Sequence, residues 1–314
     1  MKKTVFVDGQ HGTTGLKIHD RLKVREDLEI VEIPVESKKD TKSKSKILNE
    51  VDIVFLCLPD DAAKESVSLI RNEKVRVLDP STAHRTSPEW EYGIPELNPG
   101  QRAKIKASKR VSVPGCYATG FNMCVHPLTA AGIIPRDYPI SSYAITGYSG
   151  GGKQMIASFE NEGRNPDEIA SRPKNLDLCH KHLPEMQKYG LLERPPIFTP
   201  IVGNFYNGLL VFTPLYSHLL AQAKQGDEIR SFLEEYYYGE QFVRVFSQSE
   251  TEAIGDGFLS PTACNETNNI DVFVFARTDH TLLVARLDNL GKGASGAAIQ
   301  NMNLMIGAPE DRGL

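Results

Sequence analysis

The sequence predicts an α/β chain of two domains, a parallel sheet with helices on its faces followed by a mixed or antiparallel α+β domain. Three observations carry this. A chain of 314 residues has room for two domains at roughly 150 residues each. The first third alternates short apolar runs with helical segments, the pattern of a parallel sheet with crossover helices. From about Ser142 onward the strands lengthen and come in hairpin-like neighbours.

Taken in order, the first-domain strands fall at Thr4–Val7, Leu28–Ile33, Ile53–Leu58, Val75–Leu78 and Val111–Val113, with helical segments such as Leu16–Val24 and Ala62–Ile70 between them. Lys38–Lys46 is charge-rich and reads as a solvated loop. A turn at Pro114-Gly115 leads into a helical segment, Phe121–Leu128. The second-domain strands are placed at Ser142–Thr146, Leu209–Pro214, Phe242–Val245, Asp271–Ala276 and Leu282–Leu287, with an amphipathic helix over Asp227–Tyr237. Because 271–276 and 282–287 read as a hairpin, the second sheet is expected to be mostly antiparallel. The final segment, Ala294–Met305, reads as a helix closed by Gly307.

Composition narrows the function classes. Charged residues nearly balance, with a formal net charge of −4, which argues against nucleic acid as the main partner. No apolar run approaches the roughly 18 residues of a membrane span. The apolar run at Val5–Val7 stops at Asp8, short of a signal-peptide core, so a cytoplasmic protein is expected. Cysteines 57, 116, 124, 179 and 264 are odd in number, scattered and without a CxxC pair, so a disulfide framework or zinc ribbon is not expected. What remains is whether one of these thiols reacts.

Two glycine loops compete for a nucleotide. Gly9-Gln-His-Gly12-Thr13-Thr-Gly15 follows a short strand and opens a helix, where glycines let the backbone approach a pyrophosphate at the helix N-terminus. Gly291-Lys-Gly293-Ala-Ser-Gly296 fits GxGxxG letter for letter, but too few residues follow it for the second strand of a βαβ unit. The first loop is therefore the nucleotide site. Cofactor type depends on the end of the second strand. There Ser37, Lys38 and Lys39 suit a 2′-phosphate and Glu36 suits a ribose hydroxyl, so the residues lean toward NADP and leave NAD open. Gly147–Lys153 fits GxxxxGK, yet Gln154 stands where a Ser or Thr should ligate magnesium, and no strand ending in Asp follows. That argues against an ATPase; the loop and Lys153 still suit an anion.

Pro114-Gly115-Cys116-Tyr117-Ala118-Thr119-Gly120 places a thiol near a helix N-terminus, where free N–H groups lower its pKa and can stabilise an oxyanion. Cys57 and Cys124 sit in apolar runs and read as structural. A partner base is offered by His180-Lys181-His182-Leu183-Pro184-Glu185. Cys179 and His180 raise a metal reading, but their spacing is wrong for zinc, so no metal is expected. The residues alone leave His182 open between a structural histidine and a base.

Together these stretches resemble the shorter N-acetyl-γ-glutamyl-phosphate reductases of arginine biosynthesis. Asp79-Pro-Ser-Thr-Ala-His84-Arg85, Tyr92-Gly-Ile-Pro-Glu96-Leu97 and Asp288-Asn289 through Asn301-Met-Asn303 also carry the match, which runs from residue 8 to 303. The resemblance implies the fold shared with aspartate-semialdehyde dehydrogenase: an NADP-binding Rossmann domain (1–115), an α+β catalytic and oligomerisation domain (116–290), and a C-terminal helix (291–314) that packs back on the first domain. It implies a homo-oligomer, a dimer or tetramer. It carries the nucleophile onto Cys116 and the acid/base onto His182. It places the cofactor at Gly9, Gly12, Thr13 and Gly15, with Ser37, Lys38, Asn289 and Asn301 also assigned to it. Arg85, Lys153 and Glu185 are expected to bind the substrate's anionic groups. Two departures stand out. The longer form commonly has an arginine in the segment matching Gly203–Gly208, where Asn207 stands nearby here, and Gln10-His11 replace Ala-Ser in the first loop. The implied reaction is NADPH-dependent reduction of N-acetyl-L-glutamyl 5-phosphate through a cysteine thioester. The alternatives are a related acyl-phosphate reductase, acting on aspartyl or acetyl-aminoadipyl phosphate, and a non-catalytic NADP-binding redox sensor.

Overall fold

A computed structural model describes residues 2–9, 12–34, 40–161, 163, 165–221, 225–254 and 257–314. The chain forms two compact units. The first draws on Met1–Pro95, Gly100–Pro114 and Ala294–Leu314, the second on Glu96–Pro99 and Gly115–Gly293.

In the first unit the described elements run β1 (Lys3–Asp8), α1 (Thr13–Lys23), β2 (Leu28–Val31), α2 (Thr41–Glu50), β3 (Ile53–Leu56), α3 (Asp60–Leu69), β4 (Arg76–Asp79), β5 (Glu91–Tyr92), α4 (Gln101–Ala107) and β6 (Arg110–Ser112). The strands lie in the order β2-β1-β3-β4-β6-β5, all parallel. Side chains alternate across a strand. Val5, Val7, Ile53 and Phe55 therefore enter one buried layer with Ile18, Leu22, Ile299 and Met302, while Phe6, Val54 and Leu56 enter another with Leu48 and Ala63. With both faces covered, these strands read as continuous apolar runs.

The charge-rich stretch after the second strand departs from its reading as a loop. Residues 41–46 are the first turns of α2, whose N-terminus is capped by Asp40 accepting from the N–H groups of Lys42 and Ser43. One apolar face, centred on buried Leu48, is enough to dock a helix that is polar elsewhere.

The last helix of the chain, α11 (Gly296–Ile306), belongs to the first unit's core and is buried almost all round. Gly307, at φ 73°, ends it. Asn303 anchors the tail beyond it by donating to Glu310 O and Arg312 O, and it accepts from Arg25.

The second unit contains α5 (Cys116–Ala130), β7 (Ser141–Gly147), α6 (Gly152–Glu160), α7 (Pro166–Ile169), β8 (Arg172–Pro173), α8 (Leu183–Tyr189), β9 (Ile197–Gly203), β10 (Leu209–Tyr216), α9 (Gly226–Tyr236), β11 (Val243–Val245), α10 (Gln248–Glu252), β12 (Ile270–Arg277) and β13 (His280–Leu287). Its sheet has the order β11-β12-β13-β10-β7-β9-β8. The 271–276 and 282–287 runs pair as the expected hairpin. As expected the sheet is mostly antiparallel, with four of the six described strand pairs running that way, while β7 pairs with β9, and β11 with β12, in parallel. Two strands of this sheet are missing from the sequence reading: the two-residue β8, and β9, which carries Pro200, a residue that argues against a ladder position. α5 is buried along nearly its whole length and lies close on the sheet: a Cβ on Gly120 would stand 2.8 Å from Val211 Cγ2.

Candidate active site

The position of Cys116, the expected nucleophile, follows from local chain logic. β6 ends at Ser112, Pro114-Gly115 turns the chain, and Cys116 is the first residue of α5. The helix therefore starts five residues earlier than the sequence pattern placed it. Gly115 is its N-cap and provides no side-chain cap, so the first N–H groups of a 15-residue helix point outward beside the half-buried thiol. Gly293 backs directly onto that cysteine: a Cβ there would lie 2.6 Å from Cys116 Cβ.

Glu185 ties this turn to the histidine. Its Oε2 accepts from the Gly115 N–H at 3.1 Å, and its Oε1 lies 4.0 Å from His182 Nε2. Both side chains are nearly excluded from solvent. His182 sits immediately before α8, and its N–H donates to His180 Nδ1 at 3.1 Å. The Tyr117 ring packs against His182 at 5.5 Å, His180 at 5.3 Å and Phe198 at 5.1 Å. Burial pushes the Tyr117 hydroxyl well above its usual pKa. The Cys116 turn, an imidazole and the carboxylate that faces both thus share one cluster within the second unit.

The other thiols are placed differently. Burial raises Cys57 above the usual range, with the Asp79 and Asp8 carboxylates adding to the effect, and burial pushes Cys124 up to about 12. Cys264 is likewise pushed up to about 12, by burial and then by the Asp271 carboxylate.

The expected cofactor loop lies in the first unit. Gly9, at φ 86°, packs so tightly that a Cβ would meet Cys57 O at 2.1 Å, so only glycine serves there. Gly12 is the N-cap of α1 and offers no side-chain cap, Thr13 and Gly15 lie in its first turn, and the buried Thr13 hydroxyl has no hydrogen-bond partner among the described residues. An uncapped helix N-terminus with an orphaned hydroxyl fits a dinucleotide's pyrophosphate. Ser37 and Lys38, expected to select NADP, lie outside the described residues.

The remaining expected residues are engaged as follows. Arg85 donates from Nε to Val113 O at 3.0 Å and from Nη2 to Pro80 O at 2.8 Å. Lys153 is exposed in the first turn of α6. Asn289 accepts from Gly208 N–H and donates to Ser149 Oγ, which donates to Asn207 Oδ1. Asn301 donates to Gly93 O and Ala297 O. The sequence reading missed the Lys292–Glu96 ion pair, 2.7 Å long with both side chains essentially buried. Its two members are 196 residues apart, and no spacing rule joins them. Among the described residues no cluster of ligating side chains is arranged to hold a metal ion.

Comparison with known proteins converges on one family. Residues 3–105 match the model of the semialdehyde dehydrogenase NAD-binding domain, and residues 116–289 that of the semialdehyde dehydrogenase dimerisation domain. The N-acetyl-gamma-glutamyl-phosphate reductase of Trichormus variabilis is 49% identical over 100% of this chain and 99% of its own length. That of Sinorhizobium medicae is 44% identical over 98% of this chain and 100% of its own. The chain belongs to the N-acetyl-γ-glutamyl-phosphate reductase family. The fold of this reductase family member is shared more widely. Aspartate semialdehyde dehydrogenase II of Vibrio cholerae superposes with a TM-score of 0.73 at 16% identity, covering 98% of both chains. The enzyme of Candida albicans, solved with NADP, gives 0.64 at 15%, covering 98% of this chain and 99% of its own.

Proposed function

We propose that this chain reduces N-acetyl-L-glutamyl 5-phosphate to N-acetyl-L-glutamate 5-semialdehyde and phosphate, with Cys116 as nucleophile and His182 as acid/base. The observation that carries the reading is Glu185. One carboxylate holds the Gly115 turn and faces His182, so the thiol and the imidazole are oriented by a common group. Glu185, assigned above to substrate, acts as that orienting residue.

His182 takes the proton of the Cys116 thiol, and the thiolate attacks the acyl carbon. The S–C bond forms, the C–O bond to phosphorus breaks, and phosphate leaves with the electron pair. The outward N–H groups at the start of α5 stabilise the oxyanion that develops on the acyl oxygen. NADPH, when bound, supplies the hydride that reduces the resulting thioester. His182, protonated in the first step, gives that proton to the oxygen as the hydride arrives and takes it back from the thiohemiacetal hydroxyl as the C–S bond breaks, releasing the aldehyde and returning the thiolate. Gly9, Gly12, Thr13 and Gly15 hold the cofactor's pyrophosphate, and Ser37 and Lys38 favour its 2′-phosphate. Asn289 and Asn301 shape the region around the cofactor. Arg85 and Lys153 serve the substrate's anionic groups.

On this reading residues 1–115 bind the cofactor, 116–290 carry catalysis and oligomerisation, and 291–314 complete the first domain. The enzyme is a cytoplasmic homo-oligomer whose partners are small molecules. Among the described residues, no helix is long and apolar enough to cross a membrane. The test is to assay N-acetylglutamyl, aspartyl and acetyl-aminoadipyl phosphates side by side with the wild-type enzyme and with Cys116→Ser. The first substrate should be turned over fastest, and the variant should bind NADPH yet turn over none of the three. Retained turnover by the variant would remove Cys116 from the mechanism.

A further inference from the structure

The reaction needs a cation beside the acyl carbon, because a dianionic phosphate must be held there and then released. The second unit supplies a candidate that the sequence motifs do not mark. Lys174 follows the two-residue strand β8, which pairs antiparallel with β9 in the register Arg172↔Val202 and Pro173↔Ile201. The Lys174 N–H continues the ladder by donating to Pro200 O at 2.9 Å, so Lys174 stands opposite Pro200. Directly opposed residues of an antiparallel pair share a face, as do alternate residues of one strand. Lys174 therefore projects from the sheet face that carries Pro200 and Phe198. Phe198 is the ring on which Tyr117 and His180 pack, next to Cys116 and His182.

Three further observations agree with that placement. Lys174 is only partly exposed. Its ammonium is disfavoured first by burial, is supported by the nearby Cys116 sulfur as thiolate, and is opposed by Lys181. The chain from Lys174 runs directly through residues 175–179 to His180 and His182, so cation and imidazoles are presented by one segment.

We propose that Lys174 binds the phosphoryl group of the substrate at the acyl carbon that Cys116 attacks. The commitment to phosphate rests on proximity to sulfur. The phosphate is bonded to the acyl group that Cys116 attacks, whereas the substrate's carboxylate lies at the far end of its carbon chain. A partly buried ammonium interacts with a phosphate oxygen more strongly than an exposed one does. Lys153, by contrast, is exposed.

The proposal rests on the function assigned above, and its test separates the two. In the direction of aldehyde oxidation, KM for inorganic phosphate and for N-acetylglutamate semialdehyde are measured for wild type, Lys174→Met and Lys174→Arg. In the same proteins, Cys116 alkylation by anionic iodoacetate and by neutral iodoacetamide is followed by peptide mapping. Lys174→Met should raise the phosphate KM by about tenfold or more, leave the semialdehyde KM nearly unchanged, and lower the iodoacetate-to-iodoacetamide ratio at Cys116. Lys174→Arg should restore most of both. An unchanged alkylation ratio would overturn the placement of the cation whatever the substrate is. A changed ratio with the semialdehyde KM raised in place of the phosphate KM would overturn the phosphate assignment in favour of the carboxylate. A wild-type enzyme without phosphate-dependent turnover would overturn the functional reading itself.

Discussion

Replacing Gly293 by alanine adds one methyl group directly behind Cys116. Its Cβ would stand 2.6 Å from Cys116 Cβ, 3.2 Å from Cys116 Cα and 3.1 Å from Asp288 O. Carbon atoms in ordinary contact sit about 3.5–4.0 Å apart, so the turn or the start of α5 must move by roughly 1 Å. The turn has little freedom to retreat, because the Gly293 N–H is already bonded to Asp288 O at 3.0 Å. The displacement therefore falls on Cys116 and on the Gly115 N–H that Glu185 holds. Overpacking of this kind costs about 1–3 kcal/mol of stability. A misplacement of about 1 Å at a reacting group costs about 100-fold in rate, or roughly 2.7 kcal/mol of transition-state stabilisation. Steady-state kinetics, NADPH titration by fluorescence and a thermal melt together check this. The expected result is kcat/KM down by about 100-fold, with cofactor affinity unchanged and a modestly lowered Tm. A folded Gly293→Ala enzyme with activity close to the parent's would refute the claim that this turn sets the position of Cys116.

Two other outcomes follow from the same geometry. Lys292→Met leaves Glu96 in a dry site without its 2.7 Å counter-ion and should cost about 3–5 kcal/mol in denaturant unfolding, whereas Glu96→Gln combined with Lys292→Met should recover much of that loss; equal costs for the single and double variants would contradict it. Iodoacetamide at pH 8 should label Cys116 and exposed Cys179 and spare Cys57, Cys124 and Cys264. Raising the pH by one unit should not bring in Cys124 or Cys264, since a thiolate accumulates only as pH approaches its pKa and theirs are pushed up to about 12; mass mapping that finds them labelled in the folded protein would contradict the placement.

The fold was legible where physical rules act locally. Val5–Val7 and Ile53–Leu56 read as strands because both faces of their sheet are covered, and Gly307 reads as a helix end because few other residues adopt its left-handed backbone. The reading failed where tertiary contacts override composition. Lys42, Lys44 and Lys46 look like a solvated loop, yet a single buried leucine and the Asp40 cap make them helix. Pro200 hides a strand that the sheet accommodates. In the candidate site, the turn singled out Cys116, while the residues alone left His182 open and the family resemblance assigned it. Glu185's link to Gly115, Lys174's face and the Lys292–Glu96 pair were not legible, because each joins segments distant in sequence and depends on register or packing.

The central claim is that Cys116 carries the acyl group from phosphate to hydride. It is tested most directly by following NADP reduction at 340 nm with N-acetylglutamate semialdehyde, with and without phosphate, in the wild type and in Cys116→Ser. The account predicts continued reduction that requires both phosphate and the thiol; with phosphate withheld, reduction stops after a single turnover per site and the acylated Cys116 peptide is trapped. Phosphate-dependent reduction by Cys116→Ser, or a wild-type enzyme that never forms the acylated peptide, would contradict it.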